Sequence, residues 1–231
     1  MPRTLLGNLY HKAWSKTWDI AHAAGIYFSP RAVFRHIYRN RTWGDRESLS
    51  GPGSDLCETE HLRAALPPLL KELGVRSMLD IPCGDFNWMN AMNPDVGLYI
   101  GAEVVPELVE HCREKYARPG REFRVLDITR DTLPKVDLIF CRDCLGHLSN
   151  RFAAAALRNI KSSGSTWLLI TTYPGVVQVN RDIANGQFRK HDLTLPPFGL
   201  PPAQRIIEER SGEGGPGKSL GLWRNADVPN L

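Results

Sequence analysis

Met78-Leu79-Asp80-Ile81-Pro82-Cys83-Gly84-Asp85-Phe86-Asn87-Trp88 decides how this chain is read. A short apolar strand reaches an acid, Asp80, and turns at Gly84 beside a second acid, Asp85. About twenty residues further on, a second apolar strand, Leu98-Tyr99-Ile100-Gly101-Ala102, ends on Glu103. That spacing is the opening βαβ unit of a nucleotide-binding sheet, a tight turn followed by a carboxylate able to hold ribose hydroxyls. The turn lacks the G-x-G-x-x-G of dinucleotide sites, and its acids would repel a pyrophosphate. They favour a ligand with a cationic end, and S-adenosylmethionine meets that requirement.

Outward from this unit, strands are expected at 77–81, 98–102, 122–126, 136–141 and 166–171, with helical patterns between most of them, notably 106–116 and 151–160. Such alternation predicts an α/β fold, a doubly wound, mostly parallel sheet with helices on both faces. A helix over 59–73 turns Leu62, Leu66, Leu69 and Leu70 to the core, with Pro67-Pro68 expected to bend or interrupt it. The tail reads as two strands, 205–209 and 218–223, joined by a glycine-rich turn. Residues 1–54 read as a helical N-terminal extension covering the cofactor and substrate site, and residues 55–231 as the main domain. In the extension, Leu9, Ala13, Ile20 and Ala24 offer one apolar stripe, and Ser29-Pro30 marks a break before a second helix. Within the main domain the proline-rich stretch of about 174–204 is too apolar for free coil, so a substrate lid is expected.

With 231 residues, 42% of them hydrophobic, the chain suits one domain with a full core. It opens on a poor secretory signal, and no later run is long enough to span a bilayer. Five cysteines, irregularly spaced, argue for free thiols and a cytoplasmic home. The net charge of +4 does not by itself imply nucleic acid. Arg31, Arg35, Arg39, Arg41 and Arg46 crowd one segment in which Val33, Phe34, Ile37 and Tyr38 recur at helical spacing. A solvated arginine face is the plain reading; a site for an anionic acceptor or membrane surface is the sharper one.

The chain resembles the class I S-adenosylmethionine-dependent methyltransferases over roughly residues 59–224. Within them it is similar to a bacterial group with four shared runs. These are Trp43-Gly44 with Ser50-Gly51-Pro52-Gly53-Ser54, the 80–88 run above, Cys141-Arg142-Asp143-Cys144-Leu145-Gly146-His147-Leu148-Ser149, and Lys218-Ser219-Leu220-Gly221-Leu222-Trp223. The resemblance implies a Rossmann-like seven-stranded sheet whose C-terminal hairpin brings in an antiparallel strand. It also implies S-adenosyl-L-methionine as cofactor, S-adenosyl-L-homocysteine as product, and no metal. By the same resemblance Asp80 supports the turn for the methionine part, Gly84 lets the backbone approach, and Asp85 lies near the ammonium group. Pro82 and Trp88 belong to that turn. Glu103 accepts from the ribose hydroxyls, Val104 and Ile128 flank the adenine, and Asp127 accepts from its amino group. Cys141 and Arg142 follow at the fourth strand. The 50–54 run reads as a turn closing over the methionine end at Ser54, with Trp43 and Thr59 nearby, or as a simple linker. Plain alternatives are helix capping for Asp80, Asp85 and Asp127, and a surface position for Glu103.

The methyl acceptor must lose a proton, and the carboxyl ends of the strands are where open α/β sheets bind ligands. Asp143 and His147 are candidate bases there, and Arg142 a group to orient an acidic substrate. His147 equally reads as a packing residue. Cys141 and Cys144 form a C-x-x-C with no matching second pair, so buried thiols are preferred to zinc. In the lid, His191, Asp192, Arg181, Arg189 and Lys190 are candidates for acceptor contact. The expected reaction is methyl transfer to oxygen or nitrogen of a polar small molecule, glycan precursor, secondary metabolite or peptide. The alternatives are a non-catalytic cofactor-binding scaffold and a nucleic-acid methyltransferase; the second lacks a base-stacking or amino-methyltransferase signature.

Overall fold

The computed structural model describes residues 28–43, 47–209 and 217–231, together with Lys16 and Ile20. Leu9, Ala13, Ala24, Gly44, Arg46 and the turn 211–216 lie outside the described residues. Seven strands form one sheet: β1 (Ser77–Asp80), β2 (Leu98–Glu103), β3 (Arg121–Val125), β4 (Leu138–Cys141), β5 (Trp167–Thr172), β6 (Arg205–Glu208) and β7 (Ser219–Arg224). Their order is β3-β2-β1-β4-β5-β7-β6. The first five run parallel, and β7 inserts antiparallel between β5 and β6.

Alternation along each strand splits the core into two layers. Ile139 and Cys141 of β4 join Leu168 and Ile170 of β5 beneath α5 (Asn150–Ser162), which contributes Ala153, Ala156, Leu157 and Ile160. Leu138 and Phe140 face the other way, with Leu169, Leu220 and Leu222, toward α2 (Leu56–Glu72). That helix runs unbroken through Pro67 and Pro68. Burial of Leu62 and Leu66 before the prolines and of Leu69 and Leu70 after them holds both halves on one face, against the hydrogen bonds that proline forfeits.

Two further helices frame the strand tips. The short α3 (Asn87–Met92) follows β1, its start set by Phe86 in the left-handed region with no side-chain cap. After β2 comes α4 (Pro106–Tyr116), with proline in its first turn. The arginine-rich segment forms α1 (Pro30–Arg39), where Ser29 Oγ accepts from Ala32 N–H at 3.3 Å. Its buried Val33 and Ile37 pack on Ala184. Arg35 and Arg39 both reach Glu107 of α4, at 2.7 and 2.8 Å. Two of the clustered arginines therefore serve an intramolecular fastening. Among the described residues no helix is long and apolar enough to cross a membrane.

Candidate functional site

Strand order reverses at β1, whose neighbours β2 and β4 leave it in opposite directions, and a cleft opens at the carboxyl ends there. It encloses about 1100 Å³, its open mouth included. Asp80, Pro82, Gly84, Asp85, Trp88, Glu103, Val104, Asp127, Ile128, Arg142, Asp143 and His147 all line it, and Trp43 and Ser54 join them from the N-terminal side. Two expected residues do not. Thr59 is fully buried, its hydroxyl turned back onto the Asp55 carbonyl at 2.9 Å, as a threonine inside a helix readily does. Cys141 is on the core-facing side of β4 and packs under α5.

The two acids at the strand tips are buried and form no salt bridge among the described residues. Asp80 is 3% exposed and accepts a hydrogen bond from the Tyr99 hydroxyl. Burial raises its pKa to about 7, against the pull of that bond and of the Arg142 charge. Glu103 is 7% exposed, and burial likewise lifts it to about 7, opposed by the backbone N–H groups of Val104, Val105 and Gly84. Two buried carboxyl groups that titrate near pH 7 can, once ionised, accept hydroxyl donors and balance a cation.

Asp85 is occupied within the protein. It accepts from Ser48 Oγ at 3.0 Å, Leu49 N–H at 2.7 Å and Ser50 Oγ at 3.3 Å, while its own N–H donates to Ser50 Oγ at 3.0 Å. It thereby fastens residues 48–50 across the mouth of the cleft. Gly84 makes room for them: at φ +56°, a Cβ there would lie 2.2 Å from Ser50 Oγ. Gly84→Ala should lift this segment, read as faster hydrogen exchange over residues 47–54 together with lost cofactor binding. Unchanged exchange would contradict the fastening.

Asp127 forms a local turn, accepting from Thr129 N–H at 3.0 Å and Thr129 Oγ1 at 2.6 Å, with Arg130 3.3 Å from its other oxygen. Arg142 is likewise occupied. Its guanidinium meets Glu209 at 2.7 Å, the Gly53 carbonyl at 2.9 Å and Asp143 at 3.4 Å, and lies over the Trp88 ring. An acidic substrate would have to displace those partners.

His147 packs against Trp43 and Phe188 in tilted arrangements, with ring centroids 4.7 and 5.4 Å away. Its Nδ1 lies 2.9 Å from the Gln187 carbonyl oxygen. A carbonyl only accepts, so Nδ1 carries the proton and Nε2 keeps its lone pair. Burial lowers the pKa of His147 below its ordinary value, with Lys218 and Arg189 adding to the effect and Asp143 opposing it. Burial would raise the pKa of Asp143, but Arg142 and Lys218 hold it below the usual range.

None of residues 174–204 lines the cleft, which departs from the expected lid. The roof comes from α1, Trp43 and residues 49–54, while the 174–204 stretch backs His147 through Gln187 and Phe188. Several of its polar groups hold the stretch together or tie it to β5. Asn180 Nδ2 donates to the Asp192 and Pro196 carbonyls, Asp192 accepts from Gly175 N–H, and His191 Nε2 donates to the Thr171 carbonyl. Glu209 and Lys218 do not line the cleft but pair with Arg142 and Asp143, which do, and sequence reading missed both. The signal for them was a pair of opposite charges facing across the ends of two strands that flank a glycine-rich turn.

Comparison with known proteins adds to this geometry. Residues 78–164 match the model of a methyltransferase domain. No curated protein matches the chain. Among solved structures, magnesium protoporphyrin IX methyltransferase from Synechocystis with bound S-adenosylmethionine superposes with a TM-score of 0.56 at 12% identity, covering 85% of this chain and 97% of that one. The methyltransferase domain of a bacterial Hen1 (CtHen1-CN) gives 0.53 at 13% identity, covering 74% and 100%. At such identities these likenesses establish the shared fold. Residues 78–164 match a methyltransferase domain, and they lie in a sheet that shares its fold with solved methyltransferases.

Proposed function

We propose that this protein transfers the methyl group of S-adenosylmethionine to an oxygen or nitrogen of a polar acceptor. The observation that supports this most is the pair of buried acids, Asp80 and Glu103, on adjacent strand tips with no salt-bridge partner among the described residues. Leaving a carboxylate buried and unpaired is costly, so the pair is suited to a ligand bringing ribose hydroxyls and positive charge. Glu103 would hold the ribose, Asp80 and the Gly84 turn the methionine end, and Val104, Asp127 and Ile128 the adenine. When bound, S-adenosylmethionine supplies an electrophilic methyl group on cationic sulfur.

The remaining task of the chain is to align the acceptor, exclude water and take its proton. His147 suits the last role, because Nδ1 is tied to Gln187 and Nε2 retains a lone pair in the neutral ring. Asp143, ionised beside it, would balance the imidazolium once the proton has moved. The rings of Phe34 and Trp43, 5.7 Å apart, line that end of the cleft and would limit the access of water to it.

Calorimetry with S-adenosylmethionine and S-adenosylhomocysteine tests the first half of this reading; absence of heat with both would count against it. Labelled methyl transferred to a compound in extract from the protein's own source tests the second half. Binding without any transfer would favour a scaffold.

The acids also set a pH dependence. With folded-state values of about 7 against ordinary values of 3.8 and 4.5, Asp80 and Glu103 are partly protonated in the free protein at neutral pH. A cationic, hydroxyl-rich ligand favours their ionised forms, so binding should tighten from pH 6 to pH 8 and release protons. Titrations in two buffers of different ionisation enthalpy will read that release; proton uptake would contradict it.

A further inference from the structure

The end of the β6–β7 hairpin sets four charges against one another beside β4. Glu209 and Lys218 face each other, Glu209 N–H donating to the Lys218 carbonyl at 2.9 Å. The Lys218 ammonium lies 2.6 Å from Asp143 Oδ2 and 3.3 Å from Glu209 Oε2. Arg142 completes the ring, 2.7 Å from Glu209 and 3.4 Å from the same oxygen of Asp143. The side chains of Arg142, Lys218 and Glu209 are 4, 3 and 0% exposed, whereas that of Asp143 is 29% exposed and lines the cleft.

The arrangement is asymmetric. Glu209 already neutralises Arg142 through a paired contact with its guanidinium. Lys218 adds a second cation, and its shortest contact is with Asp143. Both cations meet Asp143 on Oδ2, and Oδ1 has no hydrogen-bond partner among the described residues. The Asp143 backbone is fixed as well, at φ +52° with its N–H donating to Thr171 Oγ1 at 2.9 Å. A carboxylate pinned at its backbone and at one oxygen has little rotational freedom left, so the other oxygen is presented in one place.

We propose that Lys218 is a positioning residue for methyl transfer: by fixing Oδ2 it holds Asp143 ionised and in one place beside His147, to balance the imidazolium once the acceptor's proton has moved. This rests on the reading of the cleft as the transfer site. The groups facing Asp143 are Cys141 at the end of β4 and Arg142 just after it, Lys218 just before β7, His147 from the turn after β4, Thr171 and Tyr173 at the end of β5, His191, and Glu209 beyond β6. Those facing His147 are Asp143, Lys218, Arg189 and the Gln187 carbonyl.

The test uses the full chain with Lys218→Met and Lys218→Arg. The Asp143 carboxyl carbon is titrated by NMR, S-adenosylhomocysteine binding is measured by calorimetry, and labelled methyl transfer into source extract is followed against pH. Lys218→Met should raise the Asp143 midpoint and slow transfer about tenfold at neutral pH, with partial recovery as pH rises. Lys218→Arg should restore both, and cofactor binding should be unchanged in either variant. Lost stability alone, with the Asp143 titration and transfer unmoved, would overturn the proposal. If Lys218→Met does not fold, a folded but inactive Lys218→Arg has the same consequence. Failure of the wild-type chain to bind S-adenosylhomocysteine would overturn the methyltransferase reading itself.

Discussion

Glu103→Gln should weaken S-adenosylhomocysteine binding about a hundredfold while making the ligand-free protein more stable at pH 8. The two effects have one cause. Glu103 is buried at the tip of β2, and in the proposed function it would offer charge-assisted hydrogen bonds to two ribose hydroxyls, each worth about 1.5–3 kcal/mol. A glutamine keeps the shape and an acceptor for the nearby backbone N–H groups but loses the charge. In the ligand-free protein that charge is a burden. The folded-state value of about 7 exceeds the ordinary 4.5, so the native state holds a proton that the unfolded chain has released. Wild-type stability therefore falls as pH rises from about 4.5 to 7 and levels off above, by roughly 3 kcal/mol for this group. Glu103→Gln should flatten that slope. Denaturant unfolding at pH 5 and pH 8, beside calorimetry, reads both effects; equal slopes in variant and wild type would contradict the assignment.

Glu209→Gln should destabilise the protein by about 3–5 kcal/mol, lowering the melting temperature by about 10 °C. Its side chain is wholly buried between Arg142 and Lys218, and removing its charge leaves two cations facing Asp143 alone. Taking one member from a buried ionic group costs far more than the group contributed, because the remainder cannot be rehydrated. A control lies on the same strand. Arg205 pairs with Glu72 at 2.7 Å, but both side chains are about half exposed. Glu72→Gln should leave the melting temperature unchanged, since exposed pairs contribute little. Equal losses in the two variants would show that burial is not what matters at Glu209.

Much of this arrangement was legible in the chain because it depends on local pattern. The apolar runs ending on Asp80 and Glu103 fixed the first two strand tips, and the periodicity of Val33, Phe34, Ile37 and Tyr38 described α1 correctly. What escaped reading depends on distant partners. Asp85 looked free for a ligand until residues 48–50, more than thirty positions away, came to lie on it. The Lys218–Asp143 contact requires β7 to sit beside β5 and β5 beside β4, a register that spacing does not announce. Helix α3 has only six residues and no side-chain cap, so periodicity had too little to work with. The prolines of α2 gave a local warning that its buried leucines overrode.

The roof over the cleft is fastened at one corner by Glu107, which takes both Arg35 and Arg39. All three side chains are a third or more exposed, so the fastening is loose by nature and sensitive to dissolved ions. It also sits on α4, the helix that begins just beyond the tip of β2. If the cleft takes a nucleoside as proposed, its arrival and the departure of spent product would share a doorway whose bolt is electrostatic.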